Sequence, residues 1–323
     1  MTNSSDPLRI IVHAENPHPL ALIIEAAHAD VSVACCDTYE ALPETIDTFR
    51  PDVVFTIRFA GTPGFPRESL LGPNGPKWIC VGGSGVDHLG HWDPSRVTVT
   101  NSAGVAAGMM AEYVIGGFLH FSLDVPELRR DQHNKNWRKD RHMVPLAGKT
   151  LLIVGLGNTG QAIAARAKAF GMHVIGTRAH PVAMENVDEV HGAEALPELW
   201  SRADHIAVCV PLLDTTRGLI DQAAFAAMKP GVVLADVSRG GVVDGGALVE
   251  ALQSSKLAGA VLDVFEQEPL PADHDLWSFE NLIISPHCSS VFDGWEELSI
   301  RMFCSNIERW RQGTALRNEV RPT

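Results

Sequence analysis

Short apolar runs alternate with helix-like stretches through nearly the whole chain, and this alternation restricts the possible folds more than any other feature. An uninterrupted apolar run suits a strand buried on both faces, as in a parallel sheet covered by helices. Such runs stand at residues 8–13, 31–35, 52–57, 78–81 and 97–100, with helical patterns at 20–29 and 39–49 between them. Pro/Gly-rich stretches at 61–66 and 72–76 read as loops. A second series of runs follows at 150–154, 173–176, 205–210, 232–236, 260–264 and 282–285. The whole predicts an α/β protein built of βα units.

Between the two series lies a long helical pattern, 108–130, which reads as a crossover between domains. A further helix is expected over 295–311; returning to the first series, it would make that domain discontinuous. The expected division is a first domain at 1–101, completed by 289–323, and a second at 102–288. A chain of 323 residues is long enough for two such cores.

Charge and composition exclude several classes of function. The formal charge of −13 argues against a general nucleic-acid binder, which needs basic surface for phosphates. No apolar run approaches the ~20 residues that span a bilayer. The opening Met1-Thr2-Asn3-Ser4-Ser5-Asp6-Pro7 lacks the basic-then-apolar layout of a secretory leader. The six cysteines form no C-x-x-C pair, and Cys35 and Cys36 are too close for an ordinary bridge. The expectation is a cytoplasmic protein with reduced thiols, no zinc or other metal site, no membrane contact and no nucleic-acid partner.

Residues 150–160 read Thr-Leu-Leu-Ile-Val-Gly-Leu-Gly-Asn-Thr-Gly, followed by a helical stretch at 161–170. Gly155, Gly157 and Gly160 fit G-x-G-x-x-G, with Asn158 and Thr159 completing the loop. The first glycine permits a tight turn, the second lets backbone approach a pyrophosphate, and the third lets the helix pack on the strand. Phosphate oxygens would meet N–H groups at the helix start. A methyltransferase uses a similar loop, so the chemistry has to be decided elsewhere. At the end of the next strand, where NAD-binding units usually carry an acid for the ribose 2′-hydroxyl, stand Thr177 and Arg178. Replacing the acid by a guanidinium suits a 2′-phosphate, so NADP(H) is favoured over NAD(H). The plainer reading of Arg178 is a solvated residue after a strand.

Three segments further on each end a predicted strand and carry one reactive side chain: Arg239 after 232–236, Glu268 after 260–264, and His287 after 282–285. In open α/β sheets, ligands bind beyond the carboxyl ends of the strands. Reduction of a 2-oxo acid needs these three chemistries: a cation for the carboxylate and the polarised carbonyl, a proton donor, and a carboxylate to hold that donor's imidazolium. Taken singly, each residue has a structural explanation; their common placement downstream of a nucleotide loop favours the functional one.

At these residues the chain resembles the D-isomer-specific 2-hydroxy-acid dehydrogenase family. The likeness is carried by Gly-Leu-Gly-Asn-Thr-Gly, by Val210-Pro211-Leu212, by Asp236-Val237-Ser238-Arg239-Gly240-Gly241, by Asp263 through Pro269, and by Pro286-His287. The resemblance implies a Rossmann-type dinucleotide-binding domain and a smaller flavodoxin-like substrate domain, with a cleft between them. It also implies that Arg239 binds substrate, that His287 is the acid/base and that Glu268 is its partner. Val210 and Pro211 would line the cofactor site. Asp263 would meet the nicotinamide carboxamide, or act as a structural acid at the strand end. Gly82, Gly83 and Ser84 look like the loop that holds the substrate carboxylate through its N–H groups. Arg58 is a candidate for a second anionic group on the substrate, although a solvated loop arginine is the plainer reading. The segment Met110-Ala111-Glu112-Tyr113 matches the start of the helix on which family members dimerise, so a homodimer is expected.

Formate dehydrogenases of the family carry Gln where Glu268 stands, which disfavours that subgroup. Thr177-Arg178 is similar to NADP-preferring glyoxylate and hydroxypyruvate reductases, the leading expectation for substrate. Cys288 beside His287 invites a nucleophile role, but hydride transfer needs no thiol. The alternative of another class is an NAD(P)H-sensing, corepressor-like binding protein on the same scaffold.

Overall fold

The computed structural model describes residues 7–59 and 62–322. The chain start discussed above (1–6) and part of the predicted loop at 61–66 lie outside the described residues. The chain divides into two compact units, Met1–Val105 with Phe292–Thr323, and Ala106–Val291.

The first unit is built on strands β1 (Leu8–His13), β2 (Val31–Cys36), β3 (Val53–Thr56), β4 (Trp78–Val81), β5 (Thr98–Asn101) and the late β13 (Glu319–Val320), in the order β13-β5-β4-β3-β1-β2. All pairs are parallel except β13 with β5. Ile10 and Val12 of β1 turn to one face, where α1 (Pro17–Ala27) and α10 (Trp295–Arg311) cover them with Leu20, Ile24, Ile300, Phe303 and Ile307. Ile11, between them, turns to the other face, toward Leu42 and Ile46 of α2 (Leu42–Phe49) and Leu70 of α3 (Arg67–Leu71). β3 and β4, buried at every residue between these layers, read as apolar runs for that reason. The helix expected over 295–311 is found there and completes this unit's core.

The second unit holds α4 (Ala107–Ser122), α5 (Val125–His133), β6 (Thr150–Val154), α6 (Asn158–Ala169), β7 (His173–Thr177), β8 (Glu189–His191), α7 (Leu196–Leu199), β9 (His205–Val208), α8 (Gln222–Ala227), β10 (Val232–Asp236), α9 (Gly245–Gln253), β11 (Leu257–Leu262) and β12 (Leu282–Ile284). Its seven strands are all parallel, in the order β12-β11-β10-β9-β6-β7-β8. The chain winds outward from β6 in one direction through β7 and β8, then in the other from β9 to β12. The switch point therefore lies between β6 and β9, the crevice in which doubly wound sheets bind ligands. Leu151 and Ile153 pack with α4 and α6, Leu152 and Val154 with α7, α8 and α9, so β6 too is covered on both sides.

The single helix expected over 108–130 is two helices. Leu123 closes α4, Asp124 takes a left-handed conformation (φ 53°), and α5 begins with Pro126 in its first turn. Proline lacks the N–H that would continue the ladder of α4 across this point, whereas in the first turn of a new helix that N–H is not needed.

Candidate active site

The glycine loop stands at the switch point. Gly155, at the end of β6, has φ 102°, and a Cβ there would come within 2.8 Å of Val210 and 3.0 Å of the Cys209 backbone across the crevice. Val210 and Pro211 thus follow β9 beside the loop, half-buried and exposed respectively. A Cβ on Gly160 would overlap the Gly155 carbonyl, so this glycine lets α6 start against the strand end. Gly157 differs: a Cβ there would meet nothing within 4 Å, and Gly157 and Asn158 are exposed at the first turn of α6. The loop is a cradle whose open position is one a side chain would fill, which fits a phosphate at the helix N-terminus. Thr159 is turned inward, its hydroxyl 3.7 Å from the Met110 sulfur on α4.

The next strand end is tied to this loop. Leu156 N–H donates to the Thr177 carbonyl at 2.8 Å, and the Leu156 side chain packs where Gly176 leaves room. Thr177 is 3% exposed. Arg178 is half-buried; its N–H reaches the His191 carbonyl at 3.0 Å, and its guanidinium lies 3.2 Å from the Met184 sulfur.

Beyond β10 and β11 the reactive segments are knitted together through backbone. Asp236, at the end of β10, accepts from Ser238 N–H (3.0 Å) and Ser238 Oγ (2.5 Å), fixing the turn that presents Arg239. Burial pushes the Asp236 carboxyl up to about 7, against the Ser238 hydrogen bonds and with the Asp263 charge adding to the rise. The Arg239 guanidinium folds back to the Ser238 carbonyl at 2.8 Å. Gly240 lies so close to the Phe265 carbonyl that a Cβ would overlap it. Phe265 N–H donates to Glu268 Oε1 (3.0 Å), and Glu268 Oε2 meets His287 Nδ1 at 2.9 Å. Both side chains of that pair remain a little over a third exposed. The structure therefore brings Glu268 and His287 into contact and packs the Arg239-Gly240 backbone on the loop that holds Glu268.

His287 has φ 54°, a left-handed conformation that costs a residue with a Cβ about 1–3 kcal/mol and persists where the surroundings over-determine it. Asp263 supplies the constraint. Its carboxylate, 1% exposed, accepts from Ser285 Oγ (2.5 Å), Cys288 N–H (2.8 Å), Ser289 N–H (3.0 Å) and Ser289 Oγ (2.5 Å). Each oxygen thus takes two close donors from the 285–289 loop. Of the two roles expected for Asp263, this geometry displays the structural one. Ser285, Ser289 and Tyr113, whose hydroxyl lies 2.7 Å from Ser285 Oγ, were not singled out in the sequence. A hydroxyl-rich run, Ser-Pro-His-Cys-Ser-Ser, was the only local signal for the two serines, and Tyr113 had been named only as part of the helix expected to dimerise. Cys288 is exposed, and burial of its surroundings pushes the thiol up rather than activating it. Among the described residues no group of His, Cys, Asp and Glu is arranged to hold a metal.

The substrate-loop candidates lie in the first unit. Gly82 follows β4, and a Cβ on it would come within 2.6 Å of Ile57. Gly82 O accepts from Ser299 Oγ (2.9 Å), Gly83 O from Ser102 N–H (2.9 Å) and Ser84 O from Asn101 Nδ2 (2.6 Å). The carbonyls are thus turned to the scaffold, and Gly83 and Ser84 are exposed. Arg58 is exposed after β3, close enough to Tyr39 and His88 for its charge to act on both.

A profile of the D-isomer specific 2-hydroxyacid dehydrogenase NAD binding domain matches residues 115–289, more than half of the chain. The chain belongs to this family. The D-3-phosphoglycerate dehydrogenase of Rattus norvegicus is 39% identical over 210 residues, 64% of this chain and 39% of that enzyme. The chain thus spans well under half the length of that relative. The glyoxylate reductase of Korarchaeum cryptofilum is 33% identical over 224 residues, 67% of each chain. Among solved structures, a D-isomer specific 2-hydroxyacid dehydrogenase from Xanthobacter autotrophicus Py2, in complex with NADPH and MES, superposes with a TM-score of 0.82 at 30% identity, covering 99% of both chains. No helix among the described residues is long and apolar enough to cross a membrane.

Proposed function

We propose that the chain reduces a small 2-oxo acid to its D-2-hydroxy acid with a nicotinamide cofactor, NADPH ahead of NADH. The observation that carries this is the Glu268–His287 pair, 2.9 Å apart at the strand ends of a doubly wound sheet whose switch point holds an open glycine cradle. When bound, the cofactor supplies the hydride. Gly155, Gly157, Asn158, Thr159 and Gly160 would hold its pyrophosphate, and Val210 and Pro211 would flank it. Arg178 is the side chain assigned to a 2′-phosphate, with buried Thr177 placing it; the Xanthobacter relative, crystallised with NADPH, supports this preference.

His287 gives Nδ1 to Glu268, which leaves Nε2 to pass a proton to the substrate oxygen. Glu268 stabilises the charged ring and, held by Phe265 N–H, fixes its orientation. Arg239 is assigned to the substrate carboxylate and the polarised carbonyl. The loop Gly82–Gly83–Ser84 would add N–H donors to the carboxylate, and Arg58 would take a second anionic group. A contact between Asp263 and the nicotinamide carboxamide, implied by the family resemblance, would have to share an oxygen that already receives two donors.

The likeness to a glyoxylate reductase, together with Arg178, favours glyoxylate or hydroxypyruvate as substrate. All six cysteines are free, which suits a reducing cytosol. A second copy of the chain is the proposed partner. Leu123, Leu128, Trp137, Met143 and Val144, on and after the helices expected to dimerise, are all exposed, Trp137 by 89%.

The test is the loss of reduced-nicotinamide absorbance with NADPH, then NADH, against glyoxylate, hydroxypyruvate, pyruvate and bulkier 2-oxo acids. Turnover with a 2-oxo acid upholds the reading and ranks cofactor and substrate together. Tight NADPH binding without turnover of any of them overturns it in favour of a sensor.

A further inference from the structure

Hydrogen bonds reach the proposed acid/base histidine from a helix far away in sequence. Asp263 receives donors at both of its oxygens, and a carboxylate only accepts. The single proton of Ser285 Oγ is therefore committed to Asp263, at 2.5 Å. With that proton spent, Ser285 Oγ can only accept from Tyr113, so the 2.7 Å contact runs from the Tyr113 hydroxyl to Ser285. The direction of the whole chain is fixed: Tyr113 on α4 donates to Ser285, Ser285 donates to Asp263, and Asp263 grips the residues on both sides of His287. The Asp263 contacts fall two residues before His287 and one and two after it. They bracket the left-handed backbone from which the imidazole is presented to Glu268.

We propose that Tyr113 and Ser285 are positioning residues that hold the 285–289 loop, and through it the ring of His287, in register with Glu268. The kinetic part of this inference rests on the reductase reading above; the geometric part does not. The same network accounts for the state of the phenol. Burial, with the Asp263 charge adding to it, pushes Tyr113 up to about 12, so it stays a donor throughout the neutral range.

The experiment uses the full chain and three variants. Tyr113→Phe removes one hydroxyl and keeps the ring in its apolar surroundings, Ser285→Ala breaks the chain in its middle, and Ser285→Thr keeps the hydroxyl. Two readouts are taken. One is steady-state kinetics with NADPH and the best 2-oxo acid. The other is the downfield Nδ1–H resonance of His287, seen without any substrate. Expected for Tyr113→Phe is a fall in kcat of about tenfold, the scale of one hydrogen bond lost from the constraint, with KM for NADPH within about twofold and a thermal midpoint lowered by no more than a few degrees. The Nδ1–H signal should broaden and exchange faster with water. Ser285→Ala should do at least as much, the double variant no more than Ser285→Ala alone, and Ser285→Thr should restore both readouts. A wild-type kcat and an unaltered resonance in Tyr113→Phe would overturn the proposal, as would additive losses in the double variant. If the parent protein turns over no 2-oxo acid, the reductase reading fails, while the resonance still decides whether Tyr113 and Ser285 hold the ring.

Discussion

Acid should weaken the first unit well before its carboxylates titrate, and the reason lies in one buried and one half-buried histidine. His13, at the end of β1, is fully enclosed; its Nδ1 meets Thr56 Oγ1 at 2.8 Å, and burial lowers its pKa to about 4. The Thr38 carbonyl and the Asp37 charge oppose that fall without cancelling it. His88, edge-on to Phe65, is also lowered to about 4, by burial first and by Arg58 second, with Asp87 opposing. In the unfolded chain both return to ~6.5. A folded pKa below the unfolded one means that unfolding takes up protons, so stability is present above ~6.5 and lost as pH falls toward the folded value. Between pH ~6.5 and ~5, one such group costs about 1.5 kcal/mol. The pair costs roughly 3 kcal/mol, where domain stabilities are only ~5–15 kcal/mol. The second unit is differently balanced. His205 is lowered to about 4 in the same way, but Asp236 is raised to about 7 and gains stability as pH falls through this window. The two contributions there nearly cancel. Amide hydrogen exchange of β1 and β3 against β6 and β9, at pH ~6.5 and ~5, separates the units. Protection of β1 and β3 should fall by about a hundredfold, that of β6 and β9 far less, and His13→Gln should remove about half of the first unit's loss. Equal losses in both sheets, or no effect of His13→Gln, would refute the reasoning.

Other outcomes follow from the site. Glu268→Gln turns an acceptor into a donor facing His287 Nδ1, so kcat should fall by ~10²–10³ while NADPH affinity, measured by fluorescence titration, stays unchanged. Arg178→Ala should weaken NADPH by about tenfold to a hundredfold and leave NADH within about twofold; equal loss for both would remove the 2′-phosphate as its target. Gly157→Ala and Gly160→Ala should separate binding from folding. The first fills open space where a phosphate would sit, giving a protein of normal thermal midpoint and little NADPH affinity. The second drives a methyl into the Gly155 carbonyl, and its midpoint should drop, by roughly 1–3 kcal/mol in stability.

Strands covered on both faces were legible in the sequence because nothing polar interrupts them. The runs at 78–81, 150–154 and 232–236 are β4, β6 and β10 residue for residue. The strand Glu189–His191 was not, since it is an edge strand of three half-buried residues, two of them polar, and has no apolar signature. The two-residue β13 exists only because β5 is there to pair with it. The division of 108–130 into two helices was hidden for another reason. Val125 and Leu128 keep a helical apolar spacing past the break, and Pro126 was the mark of it.

Within the site, what was legible is whatever a strand end dictates locally. Arg239, Glu268 and His287 each come shortly after an apolar run, so their convergence could be argued from topology, and the structure places Glu268 and His287 in contact. Sequence reading could not reach what makes the histidine usable. Its left-handed backbone is a property of no motif, and the groups that hold it come from α4, from the end of β11 and from the loop itself. Tyr113 and Ser285 are 172 residues apart, and Asp263 and Ser289 are 26 apart. Such a constraint has no period and no spacing rule; it exists only once two parallel strands and a helix have packed. A chain can therefore advertise its reactive atoms while concealing their support. Asp263 shows why the distinction matters: an acid at a strand end reads equally as a ligand or as a brace, and four donors on two oxygens display the brace.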